Sequence, residues 1–538
     1  METPDNSDGT IHDVIIIGAG PCGLAVAARL CEHTPSAIFT DEEHRRYHWI
    51  KKHNGQMSIK HKKDGSISTP QRPWLGRKYS TLVLDATGDN WMARWNTLFK
   101  TFEITHLRSP MFFHVDPGDR DGLLAYTHEQ NRQRELEEIR ECVGKEISKH
   151  HKKKRAKSIK QRLQAEVVID ERDRKDYFTP SRSLFSDHCA CVINRYGLRE
   201  GLIRKEEVQD IKYGYVDGIT ETGERVFAVH TGTKTHHSRT VVLAVGPGNP
   251  PKIPGMEHAQ RIQGACHSMH IKRFPDASTQ KKIDATRVTN VMVVGGGLTS
   301  AQISDLAIRC GVTKVWHIMR GPLKVKPFDI ELAWMGKFRN LEQAVFWSAD
   351  SDEERLEQIR LARGGGSITP RFYKALKRHI SASKISLHLH TTLSSQTYDT
   401  STETWSICTN PPIPDLPPID YIYFATGIIT DFTTLPLLRT MNSQYPIPAY
   451  GGLPCLTDDL MWAEGVPLFV TGRLASLRLG PGAANLAGAR VGAERIAWSI
   501  EDLLGSGSRR PSGEEAERFE YTTGRGNMFE SLKPGEEE

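Results

Sequence analysis

The chain has 538 residues, of which 38% are hydrophobic and 25% charged, and its formal net charge is +6. This length is enough for two or more domains, and the composition is that of a globular protein, not of a disordered chain. The longest apolar stretch, residues 14–30, is interrupted by three glycines and a proline, which excludes a membrane-spanning helix there.

Most of the positive charge lies in one short segment. Between Lys149 and Arg162 eight residues are Lys or Arg and none is acidic, so the rest of the chain carries a net charge of −2. The body of the protein therefore lacks the basic surface of a nucleic-acid-binding protein, and no such partner is expected. We interpret the segment as a solvated surface helix or loop, with a nuclear-import signal or a polyanion-binding patch as the alternative.

The nine cysteines are scattered, and no Cys-x-x-Cys pattern occurs. This spacing predicts neither a disulfide framework nor a zinc site, so we expect no metal and interpret the cysteines as reduced thiols in the interior. It also argues against a disulfide reductase, in which electrons leave through a pair of thiols. The polar N-terminus has no secretory or transit pattern, and a cytoplasmic location is expected.

The first predicted elements are an apolar strand, a glycine turn and a helix. The strand covers Val14 to Ile17, and the turn has the pattern Gly-x-Gly-x-x-Gly. In the dinucleotide-binding fingerprint the first glycine permits the turn, the second lets backbone amides approach a pyrophosphate, and the third lets the helix pack on the strand. The residues predicted to bind a dinucleotide here are Gly18, Gly20, Pro21, Cys22 and Gly23.

The fingerprint also requires an acid at the end of the second strand, where it binds a ribose hydroxyl. Asp41 stands at the customary separation of about 20 residues, but Thr40 to Glu43 also resemble a capping box that opens a helix. Asp85 ends an unbroken apolar strand that begins at Thr81. We favour Asp85, with a turn toward Gly88 as its alternative role.

Two charged stretches interrupt the α/β pattern. Residues 40–80 are rich in lysine and turn residues, and residues 131–176 are charged, include the basic segment and are predicted to be helical. Both stretches are expected to be insertions in the FAD-binding domain, the first at the surface because it is polar and rich in turn residues. Residues 506–538 are rich in Gly, Ser, Arg and Glu and are predicted to be a disordered tail.

A second strand, turn and helix begin at Val291. The turn has Gly-x-Gly-x-x-Ser, and a slightly wider approach of helix to strand would tolerate the serine in place of the third glycine. The residues predicted to bind a second nucleotide are Gly295, Gly297, Leu298, Thr299 and Ser300.

The strand that follows this helix ends at Arg320 and carries no acid. An acid at this place would repel a 2′-phosphate, whereas an arginine accommodates it. Arg320 therefore favours NADP over NAD, with Lys324 or Lys326 as helpers. The alternative is an exposed arginine that merely ends a strand.

Three further glycines mark places where backbone can pass close to a cofactor. Two end buried strands, one before the second fingerprint and one after it, and the third precedes the last predicted helix, whose amino end carries partial positive charge. They are Gly246, Gly427 and Gly482.

In this order the motifs resemble the class B flavin-dependent monooxygenases, above all the N-hydroxylating ornithine and lysine monooxygenases, and also the flavin-containing monooxygenases. That family has a strand-end acid, a tryptophan and then a Leu-Arg and Ser-Pro stretch; Asp85, Trp91 and residues 107–110 stand at those places. The resemblance supports Asp85 over Asp41 and implies that Trp91 and Leu107 lie against FAD.

One motif departs from this pattern. Flavin-containing monooxygenases carry Phe-x-Gly-x-x-x-His before the second fingerprint, whereas Ile262 replaces the Phe here and one residue fewer separates Gly264 from His267. This weakens the similarity to that subgroup, but His267 and Ser268 retain a pair common in the N-hydroxylating one. The substrate-binding residues of the family cannot be carried over.

The resemblance implies an enzyme that uses FAD and NADPH. NADPH would reduce the flavin, and O2 would form a flavin hydroperoxide that oxygenates a small molecule, with N-hydroxylation as one form of this reaction. Since the flavin supplies the chemistry, no catalytic acid or base is assigned. The alternatives are a flavin oxidoreductase or oxidase that releases peroxide, and a catalytically silent regulatory protein of the same fold.

The predicted fold is α/β, with two nested dinucleotide-binding (Rossmann-like) domains and an extra charged helical insertion. The FAD-binding domain is expected to be discontinuous, formed by residues 1–280 and 415–505. The NADPH-binding domain, residues 281–410, would be inserted between them.

Overall fold

The computed structural model describes residues 10–32, 78–139 and 176–505, together with isolated residues and pairs between 37 and 174. Short gaps fall at 200, 217, 221–222, 233, 247, 256–261 and 336–338. Asp41, the basic segment 149–162 and the tail 506–538 lie outside the described residues, as do most residues of both predicted insertions.

The described strands are numbered in chain order. They are β1 Ile11–Ile17, β2 Ile59–Lys60, β3 Ile67–Ser68, β4 Thr81–Leu84, β5 Leu136–Glu138, β6 Phe178–Pro180, β7 Ile203–Arg204, β8 Val208–Gly214, β9 Val226–Thr231, β10 Thr235–Leu243, β11 Ala265–His267, β12 Asn290–Val294, β13 Lys314–Ile318, β14 Ile385–His388, β15 Thr392–Asp399, β16 Thr404–Asn410, β17 Tyr421–Phe424, β18 Ala449–Tyr450, β19 Leu453–Pro454, β20 Met461–Ala463 and β21 Val466–Val470.

The described α-helices are numbered in the same way. They are α1 Pro21–Cys31, α2 Ala93–Thr101, α3 Gly122–Glu129, α4 Arg182–Arg195, α5 Ala277–Asp284, α6 Leu298–Arg309, α7 Arg339–Trp347, α8 Asp352–Arg363, α9 Pro370–Ser381, α10 Arg439–Gln444, α11 Ser476–Leu479 and α12 Leu486–Leu504.

The first unit is built on an eight-stranded sheet. Its main path is β20-β21-β10-β1-β4-β7, and β9 joins β10 and β8. β1 lies in the middle, parallel to β10 on one side and to β4 on the other. Because both faces are covered, β1 is a continuous apolar run in which Val14, Ile15 and Ile16 are fully buried.

The second unit is a five-stranded parallel sheet in the order β11-β17-β12-β13-β14. All of its strands lie in sequence between β10 and β20, which belong to the first sheet, so the two units are nested. The predicted fold class is therefore confirmed. Strands β11 and β17, which belong to the second sheet, lie outside the predicted bounds 281–410, so we take about residues 265–424 as the inserted unit of this sheet. The domain bounds themselves stay a prediction.

The second charged insertion departs from its predicted helical form where it is described. Residues 136–138 form strand β5, which pairs antiparallel with β6. Arg132 contacts both Glu135 and Asp187, which ties the start of the insertion to helix α4. Pairing with a neighbouring strand thus overrides the local helical pattern.

Among the described residues, no helix is both long enough and apolar enough to cross a membrane.

Helices α1 and α12 are joined by a buried ion pair. Arg29 Nε donates to Glu494 Oε2 at 2.6 Å, and the two side chains are only 8% and 5% exposed. A buried pair adds little net stability, but removing one partner leaves an uncompensated charge in the interior. The pair therefore fixes how the last helix lies on the fingerprint helix.

We expect Glu494→Ala to lower the free energy of unfolding by about 3–5 kcal/mol, because Arg29 would stay buried without its carboxylate. Urea titration followed by tryptophan fluorescence measures the change. Glu501→Ala is the matched control, since Glu501 pairs with Lys78 at the surface of the same helix and such pairs contribute about 0–1 kcal/mol. Equal losses in both variants would contradict the prediction.

Candidate functional site

The first fingerprint forms a tight turn against the neighbouring strand. Gly18 has φ +110°, and a Cβ atom there would lie 2.5 Å from the Ala244 carbonyl oxygen; at Gly23 it would lie 2.0 Å from the Gly18 carbonyl oxygen. At Gly20 a Cβ would meet no protein atom within 4 Å. Gly18 and Gly23 are thus required for packing, and Gly20 leaves room for a pyrophosphate at the amino end of α1.

Asp85 lies at the end of β4, the direct neighbour of β1. One carboxylate oxygen accepts a hydrogen bond from the Ala19 backbone at 2.8 Å, and the other accepts from the backbones of Thr87 at 2.7 Å and Gly88 at 3.3 Å. The acid therefore shapes its own turn and also holds the fingerprint turn. Its place beside the turn is the one expected of a ribose ligand.

Trp91 and Leu107 are both buried, and the described contacts of each are with protein. The Trp91 indole donates to the Leu198 carbonyl at 3.0 Å, and the Leu107 backbone N–H donates to the Pro180 carbonyl at 3.1 Å. The contact with the fingerprint is made by Met92, whose N–H donates to the Ala19 carbonyl at 2.8 Å. Trp91 and Leu107 stay proposed cofactor residues.

The second fingerprint repeats this geometry in the inserted unit. Gly295 has φ +154°, and a Cβ there would lie 2.4 Å from the Ala425 carbonyl oxygen, whereas at Gly297 it would meet nothing within 4 Å. The hydroxyl of Ser300, fully buried, donates to the Gly297 carbonyl at 2.7 Å. The serine therefore closes the turn, and Leu298 and Thr299 form the first turn of α6.

His317 supports the second fingerprint from β13. Its Nε2 donates to the Gly295 carbonyl at 2.9 Å, and the Ser304 hydroxyl lies 3.1 Å from Nδ1. Complete burial lowers the pKa of His317 from 6.5 to about 4. The ring is thus neutral, with the proton on the nitrogen that faces the turn.

Arg320 is exposed, two residues beyond the end of β13. The proposed helpers are committed elsewhere, because Lys324 Nζ donates to the Gly364 carbonyl at 2.6 Å and Lys326 Nζ lies 3.5 Å from the Arg363 carbonyl. Either lysine would have to break its contact to reach a 2′-phosphate, and Arg320 stays the proposed ligand of that group.

Gly246 and Gly427 each follow a strand that pairs with the strand of a fingerprint, β10 with β1 and β17 with β12. We call the end of such a strand and its glycine a junction. Just before Gly246, Ala244 N–H donates to the Ile17 carbonyl at 2.8 Å, and just before Gly427, Ala425 N–H donates to the Val294 carbonyl at 2.7 Å. Each junction thus extends the strand pairing to the fingerprint turn. Gly482 lies in the loop before α12, which begins at Leu486.

A third junction was missed in the sequence. Strand β21 runs into Thr471 and Gly472, and a Cβ at Gly472 would lie 3.3 Å from Cys22 Sγ in the first fingerprint. The signal was present, since an apolar strand followed by Thr-Gly repeats the pattern of the Thr426-Gly427 junction.

A cavity of about 260 Å³ lies where the two units meet. Asn485, the N-cap of α12, forms one side and accepts from the Ala487 N–H at 3.0 Å. Among its lining residues Asp329 carries the one carboxylate, and it lies 3.3 Å from Arg363. The lining residues are Arg108, Ser109, Pro110, Phe113, Phe328, Asp329, Met335 and Asn485.

The described residues hold no group of three or more side chains suited to a metal ion. Two nested sheets, each with a dinucleotide cradle, and a cavity between them define the class: a two-domain dinucleotide-binding fold of the kind found in flavin monooxygenases.

Comparison with known proteins supports this class. Residues 172–387 match the family model described as L-lysine 6-monooxygenase/L-ornithine 5-monooxygenase. The resemblance to the N-hydroxylating monooxygenases, inferred from the order of the motifs, is thereby confirmed. Among curated protein sequences, none matches the chain at a significant level.

Solved structures show the same fold at low identity. An ornithine N-hydroxylase from Kutzneria sp. 744 is 15% identical, with a TM-score of 0.60 over 92% of this chain and 100% of that one. An ornithine hydroxylase from Pseudomonas aeruginosa is 16% identical, with a TM-score of 0.57 over the same shares. An L-lysine 6-monooxygenase from Pseudomonas syringae is 16% identical, with a TM-score of 0.56 and again the same shares.

The two kinds of glycine in the first fingerprint should respond differently to alanine. We expect Gly20→Ala to fold normally but to bind FAD about tenfold or more weakly, because its methyl group occupies the approach to the pyrophosphate. Gly23→Ala should lower the free energy of unfolding by about 1–3 kcal/mol, since the clash is with backbone. Flavin titration and urea unfolding measure both; a folding defect in Gly20→Ala would contradict the assignment.

His317 should make the protein sensitive to acid. Its pKa is about 4 when folded and 6.5 when unfolded, so the unfolded chain binds the extra proton and stability falls as the pH drops through this window. The full loss is about 3 kcal/mol. We expect His317→Gln to reduce the pH dependence between about pH 6.5 and about pH 4 in urea unfolding without abolishing it, because burial also lowers the pKa of His188 and His267 to about 4. An unchanged slope would show that His317 does not contribute.

Proposed function

We propose that this chain is an FAD- and NADPH-dependent monooxygenase that hydroxylates the nitrogen of a small amine. The observation that carries the proposal is the family match over residues 172–387 on a fold with two nested dinucleotide cradles. The match includes the whole second fingerprint and the Phe328–Asp329 wall of the cavity.

The first cradle fits FAD. The amino end of α1 and the room at Gly20 suit its pyrophosphate, Asp85 suits a ribose hydroxyl, and the Thr471–Gly472 junction lies beside Cys22 on the same turn. FAD, when bound, accepts a hydride from NADPH and activates O2 for transfer to a substrate. The protein contributes binding, orientation and exclusion of water.

The second cradle fits NADPH. The room at Gly297 lies at the amino end of α6, where the backbone amides favour a pyrophosphate. His317 holds the Gly295 carbonyl and so orients this turn. Arg320, exposed at the end of β13, is proposed to bind the 2′-phosphate.

The cavity between the units fits a small aliphatic amine. Pro110, Phe113, Phe328 and Met335 supply apolar walls, and Asp329 is the carboxylate among the lining residues. The apolar walls accommodate a hydrocarbon chain. The lining also includes the Arg108 guanidinium, and Asp329 is paired with Arg363 at 3.3 Å, so these cations partly offset the attraction of the carboxylate for an amine.

The test is amine-stimulated consumption of NADPH by the FAD-loaded protein. We expect a panel of small aliphatic amines to raise NADPH and O2 consumption and to yield a hydroxylamine that mass spectrometry detects. NADPH oxidation with all oxygen recovered as hydrogen peroxide would instead indicate an oxidase. A purified protein that binds no FAD would overturn the proposal.

Arg320 should decide the preference for NADPH over NADH. We expect Arg320→Ala to raise the KM for NADPH by about tenfold to 150-fold, because a hydrogen bond to a charged group contributes about 1.5–3 kcal/mol. The KM for NADH, which has no 2′-phosphate, should stay unchanged. Arg309→Ala is the control, because Arg309 is the last residue of α6 and lies at the end of this helix away from the fingerprint. A proportional change for both nucleotides would contradict the assignment.

A further inference from the structure

The side chain of Arg108 crosses from the first unit to the second. Its Nη2 group shares its two protons among three acceptors, the carbonyls of Lys326 at 3.0 Å and Phe328 at 2.5 Å and the Ser367 hydroxyl at 2.9 Å. Its Nε donates to the Pro327 carbonyl at 3.2 Å. One guanidinium therefore collects three consecutive carbonyls of the inserted unit.

The backbone that carries Arg108 is firmly held in the first unit. The Leu107 N–H donates to the Pro180 carbonyl at 3.1 Å. The Thr179 hydroxyl donates to the Leu107 carbonyl at 2.6 Å and lies 3.1 Å from the Ser109 carbonyl. The residues on both sides of Arg108 are thus bound to β6, so the arginine extends from a fixed base.

The segment that receives Arg108 is connected to the NADPH cradle. Lys326 N–H donates to the Ile368 carbonyl and Ile368 N–H to the Lys324 carbonyl, both at 2.9 Å. Beside this pair, a Cβ at Gly366 would lie 3.2 Å from the carbonyl oxygen of Gly296. A displacement of the 326–328 segment would therefore reach the fingerprint turn through two backbone contacts.

The acceptors of Arg108 are all neutral, although a carboxylate lies nearby. Asp329 is the adjacent acid, and it is paired with Arg363 at 3.3 Å. Burial lowers the pKa of Arg108 to about 10, which still leaves the group charged at neutral pH. A planar guanidinium can hold several acceptors in one arrangement, which the single point charge of a lysine cannot do.

We propose that Arg108 is a positioning residue that sets how the NADPH-binding unit sits against the FAD-binding unit during hydride transfer. The proposal rests on the proposed function, because hydride transfer presupposes both nucleotides. Arg108 also binds the Phe328 carbonyl, next to Asp329, at the wall of the cavity. One side chain therefore positions both the NADPH-binding unit and the substrate cavity.

The experiment compares Arg108→Gln and Arg108→Lys with wild type and with Arg371→Gln. Arg371 is the matched control, since it also connects the units, to Glu137 at 2.7 Å and to Thr105 at 3.0 Å, but on the exposed rim. Three quantities are measured: amide hydrogen exchange of the 321–335 and 364–369 peptides, NADP⁺ affinity by calorimetry, and the rate at which NADPH bleaches bound FAD without oxygen.

Faster exchange at Lys326 and Ile368 is expected in Arg108→Gln, with NADP⁺ affinity within about threefold of wild type. The bleaching rate should fall roughly tenfold to hundredfold, because a shift of about 1 Å in the reacting groups costs up to this much. Arg108→Lys keeps the positive charge but not the planar guanidinium, so its bleaching rate should lie between those of wild type and Arg108→Gln. Arg371→Gln should match wild type in all three measurements.

The outcomes separate the two proposals. Exchange that is unchanged in both Arg108 variants would overturn the positioning role, as would equal defects in Arg371→Gln. A large loss of NADP⁺ affinity with normal exchange would also overturn it, because Arg108 would then act by direct contact with the nucleotide. Failure of wild type to bleach its flavin with NADPH would overturn the proposed function, whatever the exchange measurement shows.

Discussion

The close approach of two backbones at each fingerprint is the constraint on which the structure depends. The Ala244 carbonyl lies against Gly18, and the Ala425 carbonyl lies against Gly295, at distances that exclude a side chain. This contact brings the end of a neighbouring strand up to the turn. The amino end of the fingerprint helix and the glycine that follows the neighbouring strand therefore lie close together. The same solution occurs twice in one chain, once in each sheet.

Nesting determines where the two sites can communicate. Because the second sheet is inserted between β10 and β20 of the first, the segment after β13 returns toward the first unit and meets residues 108–113. The cavity lies at this meeting point, beside the amino end of α12. Arg108 fills a role that apolar packing cannot, because the carbonyls of an irregular segment need donors when they are removed from water.

Much of the fold could be predicted from the pattern of apolar residues. The strand that ends at Asp85 was predicted to begin at Thr81, where β4 begins, because it is an unbroken apolar run with clear ends. The errors lie where tertiary contacts decide. Residues 136–138 were predicted to be helical but form a strand that pairs with β6.

The sequence by itself determined the two fingerprints, their order and the family resemblance, because glycine spacing after an apolar strand is a local property. Only the tertiary structure decided which residues meet across the units. Arg108 is separated from Ser367 by 259 positions, and Gly472 reaches Cys22 from the far end of the chain. Such contacts leave no periodic trace in the sequence, since they depend on how the sheets are nested and not on neighbouring residues.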